Sequence, residues 1–98
     1  MQVRFDDPDL DLLETDPEFT GGYATEAVRG FRKVLQAIRA ALDERDLYAL
    51  RSLNFEKLKG DRVGQHSLRL NKQWRLIVTI EKSDPKNTIV VIEIVDYH

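Results

Sequence analysis

The 98-residue sequence contains no cysteine. This removes a disulfide framework, cysteine-based zinc sites and thiol nucleophiles from consideration. No apolar run approaches the roughly 20 residues that a bilayer-spanning helix needs. The first residues, MQVRFDDPDLDLLE, are acidic and lack the apolar centre of a secretory signal, so a cytoplasmic protein without membrane contact is expected. There is no internal repeat, no low-complexity tract and no linker long enough to divide the chain, so residues 1–98 read as one small domain around one core. Positive charge is almost missing from residues 1–28, where Arg4 stands against eight acids.

What the N-terminal part lacks, the middle has in excess. Residues 29–75 carry twelve lysines and arginines against five acids, although the whole chain has a net charge of −2. Such a segregation fits either a polyanion-facing patch or a solvated helix with scattered arginines. Charge alone favours the helix.

Periodicity supplies the elements. QVRF suits a short first strand. Asp7-Pro8 reads as an N-cap followed by proline at the first helical position, opening a short helix over about Asp9–Thr15. Pro17 and the Gly21-Gly22 pair break it. From about Ala24 the apolar residues Val28, Phe31, Leu35, Ile38 and Leu42 step by three and four, widened by Ala27, Val34 and Ala41. Leu47, Leu50 and Leu53 extend a helical spacing, with Gly60 placed to stop it before the sheet begins. HSLRL, WRLIVTIE and TIVVIEIVDYH then read as strands, with SDPKN as a turn. The last is apolar enough for the interior of a sheet. The expected class is α+β: an N-terminal strand and helices packed on one face of a small, mainly antiparallel sheet.

The segment KGDRVGQHSLRLNKQWR concentrates five basic side chains against one acid. If Leu70 and Trp74 both face the core, they oppose each other and Asn71, Lys72 and Gln73 form a three-residue loop. Arg69 then lies directly across from Arg75 on the open face. Like charges in that position destabilise a hairpin by up to about 1 kcal/mol. Two guanidiniums side by side form a fork for phosphate oxygens, unless Glu81, Glu93 or another acid neutralises them. The chain ends in an acid, a phenol and an imidazole: Asp96, Tyr97 and His98. An imidazole in that company suits general acid chemistry, and a tyrosine suits a phosphate contact or base stacking.

The order LKGDRVGQHSLRLNKQWRLIV followed by IEIVDYH, covering about Leu53 to His98, resembles the HigB-type toxins of the RelE/ParE superfamily, also called plasmid maintenance killer proteins. The N-terminal half matches this family only in type, as a strand followed by helices. The resemblance implies a RelE/ParE-like fold and a ribosome-dependent mRNA endonuclease. Such toxins enter the 30S A site and cut the codon there, using the RNA's own 2′-hydroxyl, so that no metal or cofactor is required. It also implies a helix-turn-helix, HigA-like antitoxin as partner, and the free toxin is expected to be a monomer.

Carried over to these residues, the resemblance assigns Lys59, Arg69 and Arg75 to phosphate and transition-state charge. His98 takes the proton transfer, Tyr97 assists it, and Asp96 orients or counters that group. Lys57 and Arg62 are expected as general RNA contacts. Glu56 departs from the family's histidine three residues before the lysine; it serves either as a base toward substrate or as a salt-bridge partner of Lys59 across one helical turn. Two alternatives accompany this reading: a ParE-like gyrase-inhibiting toxin that is no nuclease, and an antitoxin-binding module with weakened catalysis.

Overall fold

The computed structural model describes residues 1–97; His98 lies outside the described residues. Strand β1 (Gln2–Phe5) leads into α1 (Pro8–Thr15), α2 (Thr25–Ala40) and α3 (Glu44–Ala49). A 3-10 turn (Arg51–Leu53), the two-residue strand β2 (Glu56–Lys57) and a second 3-10 turn (Gly60–Arg62) follow. β3 (His66–Arg69), β4 (Trp74–Glu81) and β5 (Thr88–Asp96) complete the chain. The sheet order is β1-β5-β4-β3-β2, antiparallel except for the parallel β1–β5 pair. The α+β class and the interior position of the last strand are as expected.

Local chemistry accounts for the helices. The Asp7 carboxylate accepts the Asp9 backbone N–H at 2.9 Å and Pro8 fills the first helical position. Leu10 and Leu13 of α1 are fully buried, as are Phe31, Leu35 and Ile38 on the inner stripe of α2. At the far end of α2 the Met1 α-ammonium donates to the carbonyls of Ile38, Arg39 and Ala41, at 3.2, 3.2 and 2.6 Å. These carbonyls lie at the C-terminal end of the helix, its negative pole. Leu42, expected in the stripe, lies beyond the end of the helix and is 66% exposed.

One other expectation is corrected. Helical spacing does not run on to Gly60: α3 ends at Ala49, Asn54 turns the chain at a φ of 45°, and the sheet has already begun at Glu56. Three of the helix arginines also make internal contacts. Arg32 donates to the carbonyls of Leu13, Asp16 and Phe19, closing the end of α1, while Arg39 grips Glu14 with two bonds of 2.6 and 2.7 Å. Arg45 turns back on Asp43.

One face of the sheet carries Phe5, Leu68, Leu76, Val78, Ile89 and Val91 toward the helices. The register shifts between Ile77 and Val78: Ile77 faces Glu93 while Val78 faces Val91, so Ile92 is the extra residue of a β-bulge. Without it, Glu93, Val95 and Tyr97 would share a side with Ile89 and Val91, because side chains alternate with period two. The bulge inverts the phase, sends those three to the open face and turns Ile94 toward the core.

Gly30 lets α2 pass close against the sheet. A Cβ there would sit 2.4 Å from the Leu70 carbonyl oxygen, where the β3–β4 hairpin begins to turn. Gly30→Ala is therefore expected to lower stability by about 1–3 kcal/mol, although alanine favours an isolated helix. A denaturant melt checks it, and a stability equal to or above wild type would contradict this contact.

Candidate active site

The hairpin closes in the expected register. Leu70 N–H donates to Trp74 O at 3.0 Å, Arg69 faces Arg75, and residues 71–73 form the loop. The Asn71 side-chain oxygen accepts the backbone N–H groups of Gln73 and Trp74, each at 2.8 Å, which fixes an Asx turn. That turn holds the Asn71 carbonyl between the arginines. Arg69 Nε donates to it at 3.3 Å and Arg75 Nη1 at 3.0 Å.

The guanidiniums have different surroundings. Arg69 is exposed, whereas Arg75 is only 7% exposed and its Nε is buried without a hydrogen-bond partner. The Tyr97 ring lies 4.1 Å from Arg75 Cζ, a cation–π contact made possible by the phase inversion in β5. Tyr97 is fastened through its N–H, which donates to Gln73 O at 2.6 Å, and the Gln73 side chain donates to Asp96 Oδ2 at 3.1 Å. Hairpin loop and chain end thus form one unit.

The acids that were candidates to neutralise the pair are occupied elsewhere. Glu81 binds Arg4 at 2.6 Å, and Glu93 binds Arg62 at 3.1 Å. Among the described residues, neither Arg69 nor Arg75 forms an ion pair. Paired cations with spare donors, one sheltered under an aromatic ring, suit a phosphate.

The other expected residues divide by face. Glu56 stands on the open face opposite Ser67, diagonal to Arg69. It does not bridge to Lys59: the segment is strand rather than helix, and no such ion pair forms. Lys59 is exposed at the start of the second 3-10 turn. Arg62 reaches Glu93 on β5, three strand spacings or about 14 Å from β2. The segment between β2 and β3 therefore folds over the open face. Arg62 also binds Gln65 at 2.9 Å, so it is an internal tie. Lys57 pairs with His66 and lines a cavity on the helix side, away from the arginines. Asp96 points toward the Trp74 side, and His98 lies outside the described residues. Among the described residues, no three His, Cys, Asp or Glu side chains group in a way that could hold a metal ion. Asn71 and Gln73 were not foreseen as site residues; asparagine opening a three-residue loop was the available sign for the first.

This fold is that of the RelE-like toxins. A YoeB/ParE toxin from Agrobacterium tumefaciens aligns with a TM-score of 0.60 and 17% identity, covering 100% of both chains. The YoeB–YefM complex from Staphylococcus aureus gives 0.57 and 20%, covering 100% of this chain and 97% of the other. A conserved hypothetical protein from Helicobacter pylori, solved in solution, gives 0.55 and 14%, covering 99% and 94%. At these identities the likeness concerns the fold. No curated protein matches the sequence. The sequence itself, over residues 11–98, matches the HigB-like toxins, the RelE-like HigB toxins of type II toxin–antitoxin systems; the chain belongs to this family.

The helix-side cavity, about 430 Å³, is lined by Glu44, Tyr48, Lys57, Gly64, His66, Ile80 and Lys82. His66 is buried, stacked on Phe55 at 4.9 Å, and its Nδ1 has no partner. Burial, with the Lys57 charge adding to it, holds the imidazole below its ordinary pKa of 6.5. The unfolded chain takes up a proton that the folded chain refuses, so this group's contribution is unchanged above 6.5 and becomes a penalty as the pH falls below it. His66→Phe should flatten the pH dependence of stability between pH 7 and 5, read by urea melts. An unchanged slope would show that His66 is not its source.

Proposed function

We propose that this toxin is a ribosome-dependent mRNA endonuclease that cuts the codon in the 30S A site and is neutralised by a helix-turn-helix antitoxin. The observation that carries this reading is the Arg69–Arg75 pair, gathered at one carbonyl on the open sheet face with no carboxylate partner among the described residues. The Staphylococcus aureus relative is seen in complex with YefM, which supports an antitoxin partner here as well.

In the proposed reaction the 2′-oxygen attacks the adjacent phosphorus and the bond to the 5′-oxygen breaks, leaving a 2′,3′-cyclic phosphate and a 5′-hydroxyl. The arginines bind the non-bridging oxygens and stabilise the charge that grows on them. Lys59 joins them when RNA fills the face. Glu56, whose carboxylate forms no ion pair among the described residues and which stands diagonal to Arg69, takes the 2′-hydroxyl proton. His98 returns a proton to the 5′-oxygen, with Asp96 and Tyr97 supporting it. RNA is required because DNA has no 2′-hydroxyl. The basic groups off this face, Lys57 among them, contribute sequence-independent attraction.

Inducing the toxin alone and mapping mRNA 5′ ends tests the reading. In-frame cuts that need translation are expected. Arg69→Ala, at an exposed position, should reduce cleavage about 100-fold or more with little change in melting temperature. Arg75→Lys keeps the charge but loses the planar fork, and should be similarly impaired. Replication arrest with intact mRNA would instead indicate a gyrase-directed toxin, and harmless expression a binding module.

A further inference from the structure

Gln73 hydrogen-bonds to both halves of the proposed site. Its N–H donates to the Asn71 side chain at 2.8 Å, within the turn that aims the shared carbonyl at Arg69 and Arg75. Its carbonyl accepts the Tyr97 N–H at 2.6 Å, and its Nε2 donates to Asp96 Oδ2 at 3.1 Å. The β4–β5 pairing ends at Trp74 and Asp96. Beyond that pair, Gln73 supplies the hydrogen bonds that continue the ladder by one residue. The side chain is exposed, so it is not there to fill the core. The side-chain amide presents a donor to the Asp96 carboxylate.

We infer that Gln73 is a positioning residue that fastens Asp96 and holds Tyr97 against Arg75, and so sets the geometry of the proton-transfer end of the site. This rests on the nuclease reading above. Because the backbone bonds survive substitution, the side-chain amide is the part a mutation can address. Gln73→Glu replaces the donor by an acceptor and sets two carboxylates face to face. That pushes Asp96 away and loosens Tyr97 from Arg75. Gln73→Lys restores a donor of sufficient reach.

Two measurements separate this inference from the reading on which it rests. The first needs no activity. The Tyr97 ring, 4.1 Å from Arg75 Cζ, imposes a ring-current shift on the Arg75 guanidinium protons. In NMR spectra that shift is expected to collapse in Gln73→Glu and to persist in Gln73→Lys. The second is cleavage of a programmed A-site codon by purified toxin on ribosomes. Gln73→Glu should lose about tenfold or more in saturating rate, with the half-saturating concentration within about twofold, since the arginines still bind phosphate. Gln73→Lys should recover most of the rate. A full ring-current shift in Gln73→Glu, a wild-type rate, or equal losses in both variants would overturn the inference. If the wild type cuts no codon, the nuclease reading fails, and the NMR result still decides whether Gln73 holds the chain end.

Discussion

The arrangement of the open face depends on one extra residue in β5. Ile92 sits in a bulge that inverts the alternation of everything after it. Before the bulge, Ile89 and Val91 fill the core under the helices; after it, Glu93 and Val95 face the other way. A bulge costs a ladder bond and bends the strand, and bulges recur where a side chain has to be re-aimed. Here the consequences are linked. Glu93 comes within reach of Arg62, which draws the segment between β2 and β3 over the face, and Tyr97 comes to rest on Arg75.

Charge is divided along the same lines. Arg32, Arg39, Arg45, Arg4 and Arg62 are each bound to carbonyls or carboxylates inside the molecule. Most of these contacts are exposed, and such pairs contribute little individually to stability. Their effect on the site is indirect: by occupying Glu81 and Glu93 they leave Arg69 and Arg75 facing each other without a counter-charge among the described residues. A hairpin that tolerates this repulsion has lost a fraction of a kcal/mol that threonine at either position would recover. In the proposed complex a phosphate returns it.

Much of this was legible in the residues. Strand phase alone placed Arg69 across from Arg75, because the alternation of His66, Leu68 and Leu70 against Trp74 and Leu76 allows only one register with a three-residue loop. The N-cap at Asp7 and the inner stripe of α2 were equally plain. The segment from Leu47 to Gly60 was misread because leucines at spacing three persist through a short helix, a 3-10 turn and a two-residue strand, too brief for any period to separate. The Glu56–Lys59 bridge fell with it. The bulge left no trace, since Ile92 is as good a strand residue as its neighbours. Without it the face of Tyr97, and so its stack on Arg75, could not be assigned. Nor does sequence reveal that Lys57 and Arg69, both in the basic segment, end on opposite faces.

The central claim is that RNA is held on the open face with its scissile phosphate between two arginines. The most direct measurement is the structure of the toxin on a ribosome whose A-site codon carries a 2′-deoxy substitution at the cut. The account predicts that phosphate within hydrogen-bond distance of both the Arg69 and the Arg75 guanidinium, with Tyr97 beside it. A codon lying instead against the helix-covered side, near Lys57 and His66, with Arg69 and Arg75 free of phosphate, would contradict it.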